Sequence, residues 1–258
     1  MADFEKIEHT ALAAAHGAAK VLLKYYGRAR VVKKKGEIDL LTQADKASEE
    51  IIVEAVTRAF PDHAILAEEG SGKEADSEYT WIVDPLDGTT NYAHGLPLFS
   101  ISIGLARAEK TIFGLVLNPV TQELFVAKEG QGATLNSRPI SVSGQTELQD
   151  SLMVTGFPYG LKTMMPELMD RFSTVLPKVQ GVRRLGSAAL DLCYVACGRF
   201  DGFWEQNLAP WDTAAGECIV REAGGKVTDF AENEFSPGGS QILATNGKIH
   251  DAFLPLIC

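Results

Sequence analysis

The stretch Trp81-Ile82-Val83-Asp84-Pro85-Leu86-Asp87-Gly88-Thr89-Thr90-Asn91 holds an apolar run, two carboxylates and a turn within eleven residues. Trp81, Ile82 and Val83 read as the end of a buried strand. Pro85 has no N–H to give to a ladder, so the chain is expected to turn there and leave Asp84 at the strand end. Such ends are where open α/β sheets bind ligands. Asp87 follows closely enough to share a cation with Asp84, and the Leu86 carbonyl between them offers a third oxygen. Gly88 permits close backbone approach, while Thr89 and Thr90 set hydroxyls beside amides at a helix start suited to an anion.

Further acids lie far away in the chain, at Glu68-Glu69 and at Trp211-Asp212. Hard cations such as Mg²⁺ take oxygen ligands, usually carboxylates completed by substrate phosphate and water. Acids converging from separate segments therefore suit a multi-metal site for phosphate-ester hydrolysis. That chemistry needs in-line positioning and neutralised charge more than a protein nucleophile. Each acid also has a plainer reading. Asp84 and Asp87 are ordinary turn formers. Asp45 stands three residues after Thr42, as in a capping box. Asp212 can be the N-cap of a helix through Ala214, Ala215, Cys218 and Ile219.

A chain of 258 residues with 45% hydrophobic content can bury a sizeable core. Its net charge of −10 argues against binding nucleic-acid backbones, which calls for clustered positive charge. The start, Met1-Ala2-Asp3-Phe4-Glu5-Lys6, lacks the basic region and apolar core of a leader, and no stretch approaches a membrane span; a cytoplasmic protein is expected. The four cysteines form no zinc-like pair and read as free thiols. His94 reads as structural. Gly70-Ser71-Gly72-Lys73 superficially suggests a phosphate loop, but Ala67 replaces its first glycine and Glu74 its Ser/Thr.

Periodicity predicts helices over 4–26, 46–60, 166–176, 187–197 and 212–223. Segments 99–108, 111–117 and 123–128 read as an antiparallel meander, with further strands near Gly202 and over 241–244. These patterns by themselves give only a mixed α/β class.

The run Asp84 to Asn91, with Ala67-Glu68-Glu69, Asp39-Leu40-Leu41-Thr42-Gln43-Ala44-Asp45, Arg184-Leu185-Gly186-Ser187-Ala188-Ala189-Leu190-Asp191, Trp211 to Gly216 and Glu222-Ala223-Gly224-Gly225, strongly resembles the inositol monophosphatase family. The resemblance spans essentially the whole chain, with the motifs in the family's order. It implies a five-layer α-β-α-β-α sandwich of the inositol monophosphatase and fructose-1,6-bisphosphatase type. It also suggests a single domain over 1–258, built of two packed lobes near 1–145 and 146–258.

By the same resemblance, Glu68, Asp84 and the Leu86 carbonyl hold a first Mg²⁺, and Asp84, Asp87 and Asp212 a second, with Glu68 supporting a weaker third. Mn²⁺ is expected to substitute and Li⁺ to inhibit. Thr89 and Asp45 would orient and deprotonate the attacking water. Gly88 and Thr89 would bind phosphate, while Gly186, Ser187, Ala188, Glu205 and Asp212 would face the alcohol. Glu69 and Lys34 are further candidates near the site. The implied substrate is inositol-1-phosphate, in a homodimeric enzyme. Fructose 1,6-bisphosphate remains open, with Arg171, Arg183 and Arg184 as candidates for a second phosphate. So do 3′-phosphoadenosine phosphates, NADP and histidinol phosphate. A scaffold protein that keeps the fold without turnover is the rival of another class.

Overall fold

The computed structural model describes residues 2–27, 31–35, 39–158 and 161–258. Alanines and leucines at helical spacing make α1 (Phe4–Tyr25), opened by Asp3, whose carboxylate accepts the Lys6 N–H at 3.1 Å. Its buried stripe of Ile7, Ala11, Ala14, Ala15, Ala18 and Leu22 is mostly alanine, so a neighbour can approach closely. That neighbour is α2 (Gln43–Ala59), which follows the short antiparallel pair β1 (Val31–Lys35) and β2 (Asp39–Thr42). Helix α2 begins three residues earlier than expected, which places Asp45 in its first turn.

Both helices cover one face of a seven-stranded sheet. It comprises β3 (Ala64–Ala67), β4 (Tyr79–Asp87), β5 (Ser100–Arg107), β6 (Lys110–Asn118), β7 (Glu123–Lys128), β8 (Gly132–Leu135) and β9 (Arg138–Ile140), neighbours in chain order. Only β3 and β4 run parallel. The expected meander is β5 to β7. One expectation changes. The strand does not stop at Pro85: β4 continues to Asp87, and the proline is accommodated in a break of register between Asp84 and Asp87. A bulge tolerates a residue without an N–H and re-aims the side chains around it.

A second, five-stranded sheet has the order β11 (Gly181–Arg183), β10 (Leu152–Thr155), β12 (Gly202–Gln206), β14 (Gln241–Thr245), β13 (Lys226–Thr228). Helices α5 (Ala188–Ala196) and α6 (Pro210–Glu222) pack between the sheets, joining Val116 and Phe125 of the first to Phe203 and Ile242 of the second. The outer face of the second sheet is covered by α4 (Leu161–Val175) and α7 (His250–Phe253), through Val175, Trp204, Leu243 and Phe253. The result is the α-β-α-β-α sandwich. Helix α4 starts five residues before its expected start at Pro166, which lies inside it. Among the described residues no helix is long and apolar enough to cross a membrane.

Helix α6 lies almost on the backbone of the first sheet. Gly104 and Gly114 face each other across β5 and β6, and a Cβ on Gly114 would overlap the Ala215 carbonyl oxygen. A Cβ on Gly104 would stand 3.1 Å from that of Ala214. Gly114→Ala should therefore lift α6 from the sheet and cost about 1–3 kcal/mol, the usual range for overpacking. An unchanged melting temperature would contradict this contact.

Candidate active site

Strand alternation sends Trp81 and Val83 towards α1 and α2, and Ile82 towards Ala214 and Trp211 of α6. Asp84, two residues beyond Ile82, continues on the α6 side. Its partner across the ladder is Ser102, whose hydroxyl donates to the Trp211 carbonyl at 3.2 Å. The start of α6 is thus pinned opposite Asp84. Asp212 is the third residue of that helix, not its N-cap as one reading had it; Pro210 opens the helix and Ala209 caps it. The Asp212 carboxylate accepts the Ala209 N–H at 2.7 Å.

The bulge turns Asp87 the same way. One oxygen each from Asp84, Asp87 and Asp212 lies within 4.8 Å of the others. Asp87 is held by the Ser187 hydroxyl at 2.6 Å and the Ala189 N–H at 2.8 Å, both donating to Oδ2. Asp84 accepts the Leu86 N–H at 2.9 Å, and the Leu86 carbonyl accepts the Thr89 hydroxyl at 3.1 Å. Glu68 follows β3 directly, with its N–H donated to the Val83 carbonyl at 3.2 Å. Glu68, Asp84, Leu86, Asp87, Gly88, Thr89 and Asp212 line one cleft of about 400 Å³.

A second cleft of about 280 Å³ shares Asp87, Gly88, Thr89 and Asp212 with it, and adds Gly186, Ser187, Ala188 and Glu205. Glu205 arrives from β12 on the face of Phe203, towards α5 and α6. The candidate metal and alcohol residues therefore form two adjoining spaces. Asp45 is buried and lines neither of them; Glu69 lines neither. Lys34 falls on β1, where its side chain lies outside the described residues. The Ser187 hydroxyl donates to Asp87, so its proton is directed at the acidic cluster and not into the second cleft.

Several supporting residues gave no recognisable sequence signal. Ser48 and Glu49 are buried in α2 at helical spacing from Asp45. The Ser48 hydroxyl donates to the Pro85 carbonyl at 2.9 Å, fixing the bulge. The Glu49 carboxylate accepts the N–H groups of Glu69 at 2.7 Å and Ser71 at 2.8 Å, fixing the turn that carries Glu68. Polar residues on the apolar side of an amphipathic helix were the only available hint. Asn91, in the short helix α3 (Thr89–Ala93), donates to the carbonyls of Leu98 at 2.7 Å and Leu185 at 2.8 Å, joining the candidate metal run to the segment that borders the second cleft. Gly88, at φ 93°, leaves room for backbone carbonyls: a Cβ there would be 2.9 Å from Leu98 O and 3.2 Å from Gly186 O.

Burial, followed by the charges of Glu68, Asp87 and Asp212, pushes the Asp84 carboxyl well above its ordinary range. Burial pushes Asp87 up to about 6, against the pull of its bonds to Ser187 and Ala189. Burial and then Asp212 push Glu205 up to about 8. An all-oxygen donor set of mutually repelling acids fits a hard divalent cation, which would restore their ionised forms.

The chain resembles known proteins over nearly its full length. The model described as "Inositol monophosphatase family" matches residues 3–258. A protein of Synechocystis sp. named inositol-1-monophosphatase is 48% identical over 235 residues, 90% of this chain and 82% of that one. A protein of Pseudomonas aeruginosa named Nus factor SuhB is 42% identical over 255 residues, 96% of this chain and 94% of that one. The solved structure of inositol monophosphatase from Anabaena (Nostoc) sp. superposes with a TM-score of 0.89 at 43% identity, covering 99% of this chain and 96% of that one.

The raised Asp87 pKa fixes the sign of a pH effect. Below about 6 the group carries a proton that an entering cation must displace; above it, the carboxylate is ready to bind. The rise in melting temperature on adding Mg²⁺ or Mn²⁺ should be large at pH 7.5 and shrink as pH falls through 6. A cation-induced rise that is absent, or that grows towards pH 5, would contradict this.

Proposed function

The chain belongs to the inositol monophosphatase family, and we propose that it is a Mg²⁺-dependent phosphomonoesterase that hydrolyses inositol-1-phosphate, with some breadth towards other sugar monophosphates. The observation that carries this reading is the pairing of an acidic, oxygen-only cluster with an adjoining cleft whose polar wall is also acidic. Among the described residues lining the two clefts, Arg184 is the one basic group, against Glu205 and Asp191 on the alcohol side. Such a wall suits hydroxyl donors better than a second phosphate.

The other arginines considered for a second phosphate line neither of the two clefts, although Arg171 borders a small neighbouring cavity with Glu205 and Gly156. The Arg171 Nε donates to the Ile257 carbonyl at 2.6 Å, its guanidinium pairs with Glu167 at 2.7 Å, and it lies 5.1 Å from the centre of the Phe230 ring. Arg183 donates to the Val182 carbonyl at 3.2 Å and lines neither cleft. Both features favour a monophosphate over a bisphosphate.

In this reading Glu68, Asp84, Asp87, Asp212 and the Leu86 carbonyl would hold two to three Mg²⁺ ions. When bound, these would lower the pKa of water and neutralise charge on the phosphate and leaving oxygens. The Gly88 and Thr89 amides bind the phosphate. The Thr89 hydroxyl would orient the attacking water, and Asp45, buried outside both clefts, would take the proton through Thr89 and not from the water directly. Glu205, with Gly186 and Ala188, positions the alcohol so that its oxygen leaves in line. Mn²⁺ substitutes for Mg²⁺, Li⁺ inhibits, and the working form is a cytoplasmic homodimer. The similarity to proteins named Nus factor SuhB supports a second reading, a role carried by the fold itself and independent of turnover.

Phosphate release should be measured with Mg²⁺ on inositol-1-phosphate, fructose 1,6-bisphosphate, 3′-phosphoadenosine 5′-phosphate, NADP and histidinol phosphate. Inositol-1-phosphate should be preferred, and Asp84→Asn should lower its turnover by about a hundredfold or more. Preference for another ester would overturn the substrate. Release from none, with a cellular phenotype that survives Asp87→Asn, would replace the enzyme by the scaffold.

A further inference from the structure

Asp191 stands in the first turn of α5 with 1% of its surface exposed. Its Oδ1 is almost wholly buried and has no hydrogen-bond partner. The rest of the helix is apolar and buried, including Leu190, Leu192, Cys193 and Val195, so packing gives no reason for an acid at this position. Buried polar atoms normally find partners, because an unmet acceptor forfeits the bonds it made with water.

The same side chain lines the alcohol-side cleft with Glu205, Arg184 and Gly156. Glu205 comes from a strand and Asp191 from a helix, so the two acids bound the cleft from separate elements. The position of Glu205 depends on Gly156: a Cβ on that glycine would overlap the Glu205 carboxylate. The cleft therefore has one acid fitted against a glycine and a second whose hydrogen-bonding capacity is unused within the protein.

Resting on the phosphatase reading above, we propose that Asp191 is a second hydroxyl-binding residue of the alcohol subsite, acting with Glu205 to select phosphate esters of polyhydroxylated alcohols. An ester whose alcohol carries hydroxyls supplies the missing hydrogen bond. One without them fills the cleft and leaves the group dry. A site built around such contacts rejects the analogue that lacks them more strongly than an apolar pocket rejects a misfit.

The test is the ratio of kcat/KM for inositol-1-phosphate to that for phenyl phosphate, in wild type, Asp191→Leu and Asp191→Asn, with melting curves for each. Leucine fills the space without hydrogen bonds and should lower the ratio roughly tenfold, the scale of one lost hydrogen bond. Its melting temperature should equal or exceed that of wild type, since an unmet polar group has been removed. Asparagine keeps a donor and an acceptor and should restore most of the ratio. An unchanged ratio in Asp191→Leu would overturn the proposal alone. So would equal losses on both esters with a lower melting temperature, which mark a structural residue. Wild type that releases no phosphate from inositol-1-phosphate would overturn the underlying reading, and this inference with it.

Discussion

Three carboxylates held within 4.8 Å of one another set the terms for the rest of the molecule. Two unit charges 4 Å apart at an effective dielectric near 20 repel by about 4 kcal/mol. That is a large part of the roughly 5–15 kcal/mol by which a folded domain is stable. Side chains left to themselves would swing apart. Here they cannot, because each is fixed by a different part of the fold. Asp84 sits in a ladder, Asp87 is held by Ser187 and Ala189, and Asp212 is locked into the first turn of α6. Burial raises the pKa values of both Asp84 and Asp87, and at Asp84 the charges of Glu68, Asp87 and Asp212 add to it; a bound cation would restore the ionised forms.

Much of the architecture serves to maintain that arrangement. The facing glycines 104 and 114 let α6 lie on the sheet backbone, and Ser102 ties its start to the strand opposite Asp84. From the other face of the sheet, Ser48 and Glu49 of α2 reach the bulge and the Glu68 turn. Asn91 connects the metal run to the segment that bounds the alcohol cleft. The candidate metal ligands and alcohol-facing residues are therefore tied to one another, as in-line phosphoryl transfer would require.

The parts of this site that were readable in the sequence are those where local pattern and chemistry coincide. Trp81 to Asn91 combines strand hydrophobicity with acids and a glycine that permits close backbone approach, so its place in the candidate site was visible. Asp212 was visible beside Trp211, but Pro210 opens the helix and makes the acid its third residue. Residues that act at long range left no local trace. Ser48 and Glu49 look like ordinary helix residues until a strand end is found beneath them. The five layers were likewise hidden, because the partner of β12 on one side is β14, far along the chain, and periodicity does not report sheet membership. Pro85 misled for a related reason: its local meaning is a strand stop, and the register break that accommodates it is a property of the sheet.

The central claim is that Asp84, Asp87 and Asp212 form a cation site that the fold holds ready. Anomalous diffraction from crystals grown with Mn²⁺ tests it most directly. Peaks among those three carboxylates, with the Leu86 carbonyl and Glu68 contributing ligands, are the predicted result. Manganese bound only elsewhere, or no peak among the three, would contradict it.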